Sequence, residues 1–558
     1  MTFLDASASA ALVSRIPASN AQSISPDTHL RLTFDLPPTI GTSGQIRIFE
    51  AGNDTLVDTL DLRIPPSPPR GGGPTGAGTT PPATTPVSQV NTIGGFAGFH
   101  FYPIIVTDNT AVIYPHNNVL AYNRTYYVEL DSGVLQLGTN AFAGFRGPTN
   151  WVFTTKPAGP PANSSRLVVA ADGSGDFTTV QGAVDSIPDR NSSRVTIFIR
   201  NGVYREIVYF RNKSNLTFLG EDREGVVVGY ANNEVFNLQP GVTTNERPQT
   251  NPYRRASFFA DQSSGLQIVN LTLKNFTPRG GSQAEALLLR GGQNLVSHVN
   301  LLSFQDTLQF NDSVYITESF IEGETDFLWG RGPAFFHRCD IKELGRSPVM
   351  WVRSTAASHG FVFLECKFET PPGANPLLAR NTAVYPNSEV VLLNSAVGEI
   401  NPLAWSLAGD LSNQHYWEFR TTNLGDGQPA DVSRRANGSK QLDPEKDAET
   451  IANYMNPSFV LGGWTPSLAP LILKPPATQT VNGGASVTFS VTVAAIPPAK
   501  YQWQRNGTPL KDGPGVTGAS SPTLSLVGPS GGQAGDYTVI VGNSSGTATS
   551  APARLINP

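Results

Sequence analysis

YITESFIEGETDFLWGRGPAFFHRCDI (residues 315–341) carries one pattern twice, 20 residues apart. YITESFI overlays FFHRCDI without a gap, so Ser319 meets Cys339 and Ile321 meets Ile341. The pattern continues outward. QIVNLTL (267–273) and LVSHVNL (295–301) precede it, and FLECKF (363–368) and LLNSAV (392–397) follow it. One column then holds Leu271, Val299, Ser319, Cys339, Cys366 and Ser395, at steps of 28, 20, 20, 27 and 29 residues. A second column, two residues on, holds Leu273, Leu301, Ile321, Ile341, Phe368 and Val397. An apolar column that returns once per coil means that each turn of chain lays one strand beside the last, which is a parallel β-solenoid. The uneven steps put surplus residues in loops, and loops on a rigid stack are where a groove is built.

The 558 residues are too many for one core. Before the solenoid, HLRLTFDLP (29–37), GQIRIFEAG (44–52), YYVELDSG (126–133) and NWVFTTK (150–156) are short alternating strands, the pattern of a β-sandwich. The Pro/Gly-rich stretch 64–86 interrupts them and is expected to form a loop. After the solenoid, SVTFSVTV (486–493), KYQWQRNGTPL (500–510) and AGDYTVIVGN (534–543) resemble an immunoglobulin domain. Trp503 stands at the core-tryptophan position, Tyr537 at the tyrosine corner, and Val491 and Val539 where a disulfide usually sits. The expected fold is all-β, with units at 1–160, 161–468 and 469–558.

Net charge is −5 with a pI near 5.9 and no polybasic stretch, so nucleic acid and anionic membrane are weak candidate partners. Two cysteines cannot make a disulfide scaffold. The seven histidines show no HExxH spacing, so no metal is expected. No apolar run is long enough to span a membrane. The N-terminus lacks a basic start followed by a long apolar core, so no signal peptide is expected there.

Asp306 lies five residues after Leu301, and Asp326 five after Ile321. If the columns hold, the two sit on adjacent coils, with backbones roughly 5 Å apart. Carboxylates that close titrate as a pair: one serves as base or nucleophile while the other holds a proton. By the same offset Arg346, five residues after Ile341, is a candidate partner one coil further on.

Around these residues the middle of the chain resembles the pectin methylesterase family. The resemblance rests on VVAADGSGDFTTVQGAVDSIP (168–188), NGVYREIV (201–208), SQAEALLLRG (282–291), FQDTLQF (304–310), TDFLWG (325–330) and LLARNT (377–382), in that order. It implies a right-handed parallel β-helix flanked by Ig-like sandwiches. It implies a cofactor-free esterase that converts methyl-esterified pectin (homogalacturonan) to pectate and methanol. It also implies a secreted or cell-surface bacterial monomer. Asp326 would be the nucleophile and Asp306 the acid/base, with Gln283 and Gln305 facing the oxyanion and Arg380 orienting Asp326. Gly202 and Tyr204 would shape a turn, and Glu206 would pair with an arginine.

Two cleft aromatics of the family are absent: Gln309 replaces the tyrosine after QDTL, and Thr382 the tryptophan of LGRPW. These two positions and Trp329 are the expected substrate-binding set, with Trp329 either a sugar platform or a core residue. An acetylesterase, a thioesterase or a non-catalytic sugar-binding helix is the alternative. Cys339 and Cys366 share a column one coil apart, where in-register Cβ atoms point the same way; the pair is expected as stacked, buried thiols.

Overall fold

The computed structural model describes residues 11–66, 89–237, 254–481, 485–529 and 531–556. The Pro/Gly-rich loop expected at 64–86 lies outside the described residues from position 67 on.

The column pattern becomes three parallel sheets of 11, 9 and 8 strands among the described residues. Each inner coil lays one strand in each sheet and then returns to the first, as with Val195–Ile199, Gly202–Arg205 and Val208–Arg211. The second column reads out as register: Leu273 pairs with Leu301, Leu301 with Ile321, Ile321 with Ile341, Ile341 with Phe368, and Phe368 with Val397. All these side chains belong to one continuous buried core. Burying one such side chain is worth roughly 1.5–3 kcal/mol, so the stacked columns are the main stabilising feature of the coil.

The first column forms a ladder at the bend between two sheets. Val299 N donates to Ser319 Oγ, Cys339 N to Cys366 Sγ, and Cys366 N to Ser395 Oγ. A thiol and a hydroxyl thus fill the same position. Both cysteines are free and buried.

The N-terminal end of the helix is closed by the six-residue helix Val180–Asp185. Thr179 caps it by accepting from Gly182 N. Glu206 was expected to pair with an arginine. Instead its two carboxylate oxygens accept from the amides of Val180 and Gln181, because this buried helix start leaves amides without helical partners. Tyr204 packs in the core with its hydroxyl on the Arg200 carbonyl, as a turn-shaping residue should.

Among the described residues, 12–155 form four sheets, the two larger ones of four and five strands, and hold their own core, which includes Leu30, Leu32, Ile46, Ile48, Trp151 and Phe153. Residues 479–556 contribute a six-stranded and a three-stranded sheet around Phe489, Trp503, Tyr537 and Val539, and Thr492–Ile496 pairs with Leu468–Lys474 in a further two-stranded sheet. There Tyr537 Oη donates to the Gln533 carbonyl four residues upstream, the tyrosine-corner bond. Val491 and Val539 pack in this same core. Two short helices, Ala448–Tyr454 and Pro457–Val460, interrupt the β pattern between solenoid and C-terminal strands. Their apolar residues cover the outside of the largest sheet.

Candidate active site

The eight-stranded sheet presents the site. In Leu308–Phe310, Leu328–Gly330 and Met350–Val352 the flanking side chains Leu308, Phe310, Leu328, Met350 and Val352 belong to the solenoid core. Strand alternation therefore sends the middle residues outward. Gln309, Trp329, Trp351 and Arg380 form that outward column, each in register with the next. Gly330 keeps the stack tight. It has φ +152°, and a Cβ there would lie 1.9 Å from the Phe310 carbonyl oxygen.

Asp306 and Asp326 each precede their strand by two residues, and Leu308 pairs with Leu328, so the aspartates are stacked on adjacent coils. Asp306 N donates to Thr325 O at 3.1 Å, and Asp326 N to Pro348 O at 2.9 Å. Both have left-handed backbones, with φ of 64° and 46°. Aspartate tolerates that region better than most residues.

The two carboxyls have opposite surroundings. Asp326 is gripped by Arg380, whose Nε lies 2.8 Å from Oδ1 and 3.1 Å from Oδ2, with Nη2 also donating. Asp306 shares Arg255 with two other acids. Arg255 Nη2 contacts Glu285 Oε1 at 2.6 Å and Asp306 Oδ2 at 3.0 Å, while Nη1 contacts Glu234 at 3.2 Å. Burial pushes the Asp306 carboxyl up to about 8, with help from Glu285 and Asp326 and against the pull of Arg255 and Arg353.

Arg346 does not take the position its offset implied. Leu328 pairs with Met350, whereas Leu308 pairs with Leu328, so this coil is two residues longer than the one before. Pro348 follows Asp326 in the stack, and Arg346 is exposed outside it. Gln283 and Gln305 sit on adjacent coils, linked by the 3.1 Å bond from Ala284 N to Gln305 O. Both are half-buried, and no side-chain hydrogen bond occupies either among the described residues.

The structure places the three residues of the expected substrate-binding set differently. Gln309 is 3% exposed, beneath the cleft surface, and cannot stack on a sugar. Trp329 faces outward but is 6% exposed, because the guanidinium carbons of Arg353 and Arg255 lie 4.5 and 5.4 Å from its ring. It is a platform for arginines. Thr382 begins a turn closed by Tyr385 N on Thr382 O, and this turn brings Tyr385 to 6.1 Å from Trp351. The cleft therefore regains aromatics, Trp351 and Tyr385, that the motif comparison missed. Arg255, Glu285 and Arg353 were missed as well. Glu285 had a usable signal: it precedes Leu287 by two residues, and Leu287 pairs with Leu308. Among the described residues no group of three His, Cys, Asp or Glu side chains is arranged to hold a metal ion.

Comparison with known proteins decides the lineage. The family model described as Pectinesterase matches residues 166–462, more than half of the chain. The chain belongs to the pectinesterase family. A model described as Immunoglobulin domain matches residues 469–543. Pectinesterase QRT1 of Arabidopsis thaliana is 31% identical over 330 residues, covering 56% of this chain and 82% of the relative. Probable pectinesterase 30 of the same plant is 29% identical, covering 53% of this chain and 60% of the relative, less than two thirds of its length. A solved structure of pectin methylesterase from carrot is 26% identical with a TM-score of 0.45, covering 53% of this chain and 93% of that one. The chain is accordingly an enzyme of the pectinesterase class, and the stacked aspartates lie within the matched pectinesterase segment.

Proposed function

We propose that the chain hydrolyses methyl esters of polygalacturonate through the Asp306–Asp326 pair. The observation that carries this is the asymmetry of the stack: Asp326 is gripped by the Arg380 fork, whereas Asp306, on the adjacent coil, is a buried carboxyl whose burial favours the protonated form. One neighbour is thereby a nucleophile and the other a proton donor at the same pH.

An Asp326 oxygen attacks the ester carbonyl carbon, and the carbonyl oxygen becomes an oxyanion facing the amide donors of Gln283 and Gln305. Collapse of the adduct breaks the carbon–methoxy bond, and the Asp306 proton goes to the departing methoxide, releasing methanol. Asp306, now a carboxylate, takes a proton from water as the water oxygen attacks the acyl carbon. The acyl–Asp326 bond breaks, leaving the uronic acid, the Asp326 carboxylate and a reprotonated Asp306. The acid then loses its proton to solvent.

This reading treats residues 161–468 as the catalytic unit, with 1–160 and 469–558 as attached sandwiches; the separate cores support it. No helix among the described residues is long and apolar enough to cross a membrane. A polymeric substrate calls for a secreted or surface-held enzyme, and a monomer suffices because the pair lies within one chain. Methanol release from methylated polygalacturonate tests the reading. Release of acetate from acetylated chains, without methanol, would replace it with an acetylesterase.

A further inference from the structure

We propose that Arg353 receives a free uronate carboxylate next to the ester being cleaved, so that the enzyme selects partly de-esterified chains over fully esterified ones. The inference rests on the proposed function and adds a specificity residue to it.

Arg353 directly follows the strand Met350–Val352, and its amide donates to Gly330 O beside Trp329. Its guanidinium carbon lies 3.5 Å from the Trp351 ring centre, 4.5 Å from that of Trp329 and 5.7 Å from that of Tyr385. The aromatic faces hold the cation by attraction to their π-clouds and fix its plane. The other two cleft arginines already have carboxylate partners. Arg255 has Glu234, Glu285 and Asp306, and Arg380 has Asp326. Arg353 has no ion pair among the described residues, and its Nε is buried without a hydrogen-bond acceptor.

The neighbouring indoles repeat this state. Trp329 Nε1 and Trp351 Nε1 are also buried donors without acceptors among the described residues. Three N–H donors without protein acceptors thus lie in one cluster, a setting that favours a ligand rich in acceptors. Burial also disfavours the guanidinium charge, which an arriving anion would offset.

A methyl ester offers a weak carbonyl acceptor and no charge. A free uronate offers two charged oxygens at the spacing of a guanidinium edge. De-esterified galacturonate is the anion that the proposed reaction itself generates along the chain. Arg353 stacks on Trp329, in the strand that begins two residues after Asp326, which places the cation beside the coil of the reacting pair.

The test compares wild type with Arg353→Gln and Arg353→Lys. Methanol release is measured at low salt on fully methylated and on half-methylated oligogalacturonates. Binding of unesterified oligogalacturonate is measured separately by calorimetry, and thermal melting checks folding. A lost charge-assisted bidentate contact should lower the half- to fully methylated kcat/KM ratio about tenfold in Arg353→Gln. The same variant should weaken binding of the unesterified oligomer by about tenfold, through loss of the same contact. Arg353→Lys keeps the charge without the planar fork and should fall between; it decides the matter if Arg353→Gln does not fold. An equal loss on both esters, with binding of the unesterified oligomer retained, would overturn the proposal and assign Arg353 to the reacting carbonyl. Arg353-dependent binding without methanol release from any ester would instead refute the proposed function and leave the carboxylate site standing.

Discussion

Arg380 meets Asp326 across two coils, with Nε 2.8 Å from Oδ1 and 3.1 Å from Oδ2. The guanidinium plane is held in turn over Trp351, 3.9 Å from its ring centre. A planar fork and a flat indole leave the carboxylate little rotational freedom. Arg380→Ala should lower kcat by about a hundredfold, the scale of losing a fixed charge at a reacting group. Arg380→Lys should recover part of that loss, since charge returns without the fork. Arg346→Ala, outside the stack, should change kcat less than about twofold, as expected of an exposed site. The reverse order in steady-state assays would refute this frame.

The raised Asp306 carboxyl sets a pH dependence. Methoxide departure needs its proton, so kcat/KM should fall as pH rises through about 8. Glu285 is one cause of the elevation. Glu285→Gln removes a negative neighbour and leaves Arg255 more available to Asp306. The alkaline limb should therefore move to lower pH. An unchanged limb would mean that another group controls it.

Stability should show the same group from the other side. Asp306 has a folded-state value near 8, above the usual carboxylate value of 3.8. Raised in this way, it favours the folded state fully only below its unfolded value, and that contribution is lost as pH climbs to about 8. Asp306→Asn does not titrate. Its melting temperature should exceed the wild-type value by a margin that is small near pH 4, grows toward pH 8 and then levels off. Parallel melting curves across that range would contradict the assignment.

The cysteine ladder gives a chemical test. Burial pushes the Cys366 thiol well above its ordinary range, and Cys339 adds to the effect. Native protein should react slowly with thiol reagents, while unfolded protein prepared without reductant should titrate two thiols. Cys366→Ser should be tolerated, because Ser319 and Ser395 already accept a backbone amide at this position. Cys366→Val leaves the Cys339 amide without an acceptor and should cost about 1–3 kcal/mol in denaturant unfolding.

The solenoid was legible because Leu301, Ile321 and Ile341 recur at equal spacing, and equal spacing fixes register. Asp306 and Asp326 followed from that spacing. Arg346 failed for the same reason in reverse: two extra residues before Met350 moved the frame, and offset counting has no means of seeing an insertion. Arg255 comes from 51 residues before Asp306, across an irregular coil, so no local pattern connects them. Trp351 and Tyr385 meet only because the turn after Thr382 folds back. A turn replaced an aromatic that motif comparison counted as lost.

Methanol release from methyl-esterified polygalacturonate tests the central claim most directly, measured for wild type, Asp326→Ala and Asp306→Ala with a chelator present. The account expects sustained release by wild type. Either variant should fall below about 1% of that rate, because nucleophile and acid act as one unit. Near-normal release by a folded variant, or wild-type release abolished by the chelator and restored by a divalent cation, would contradict it.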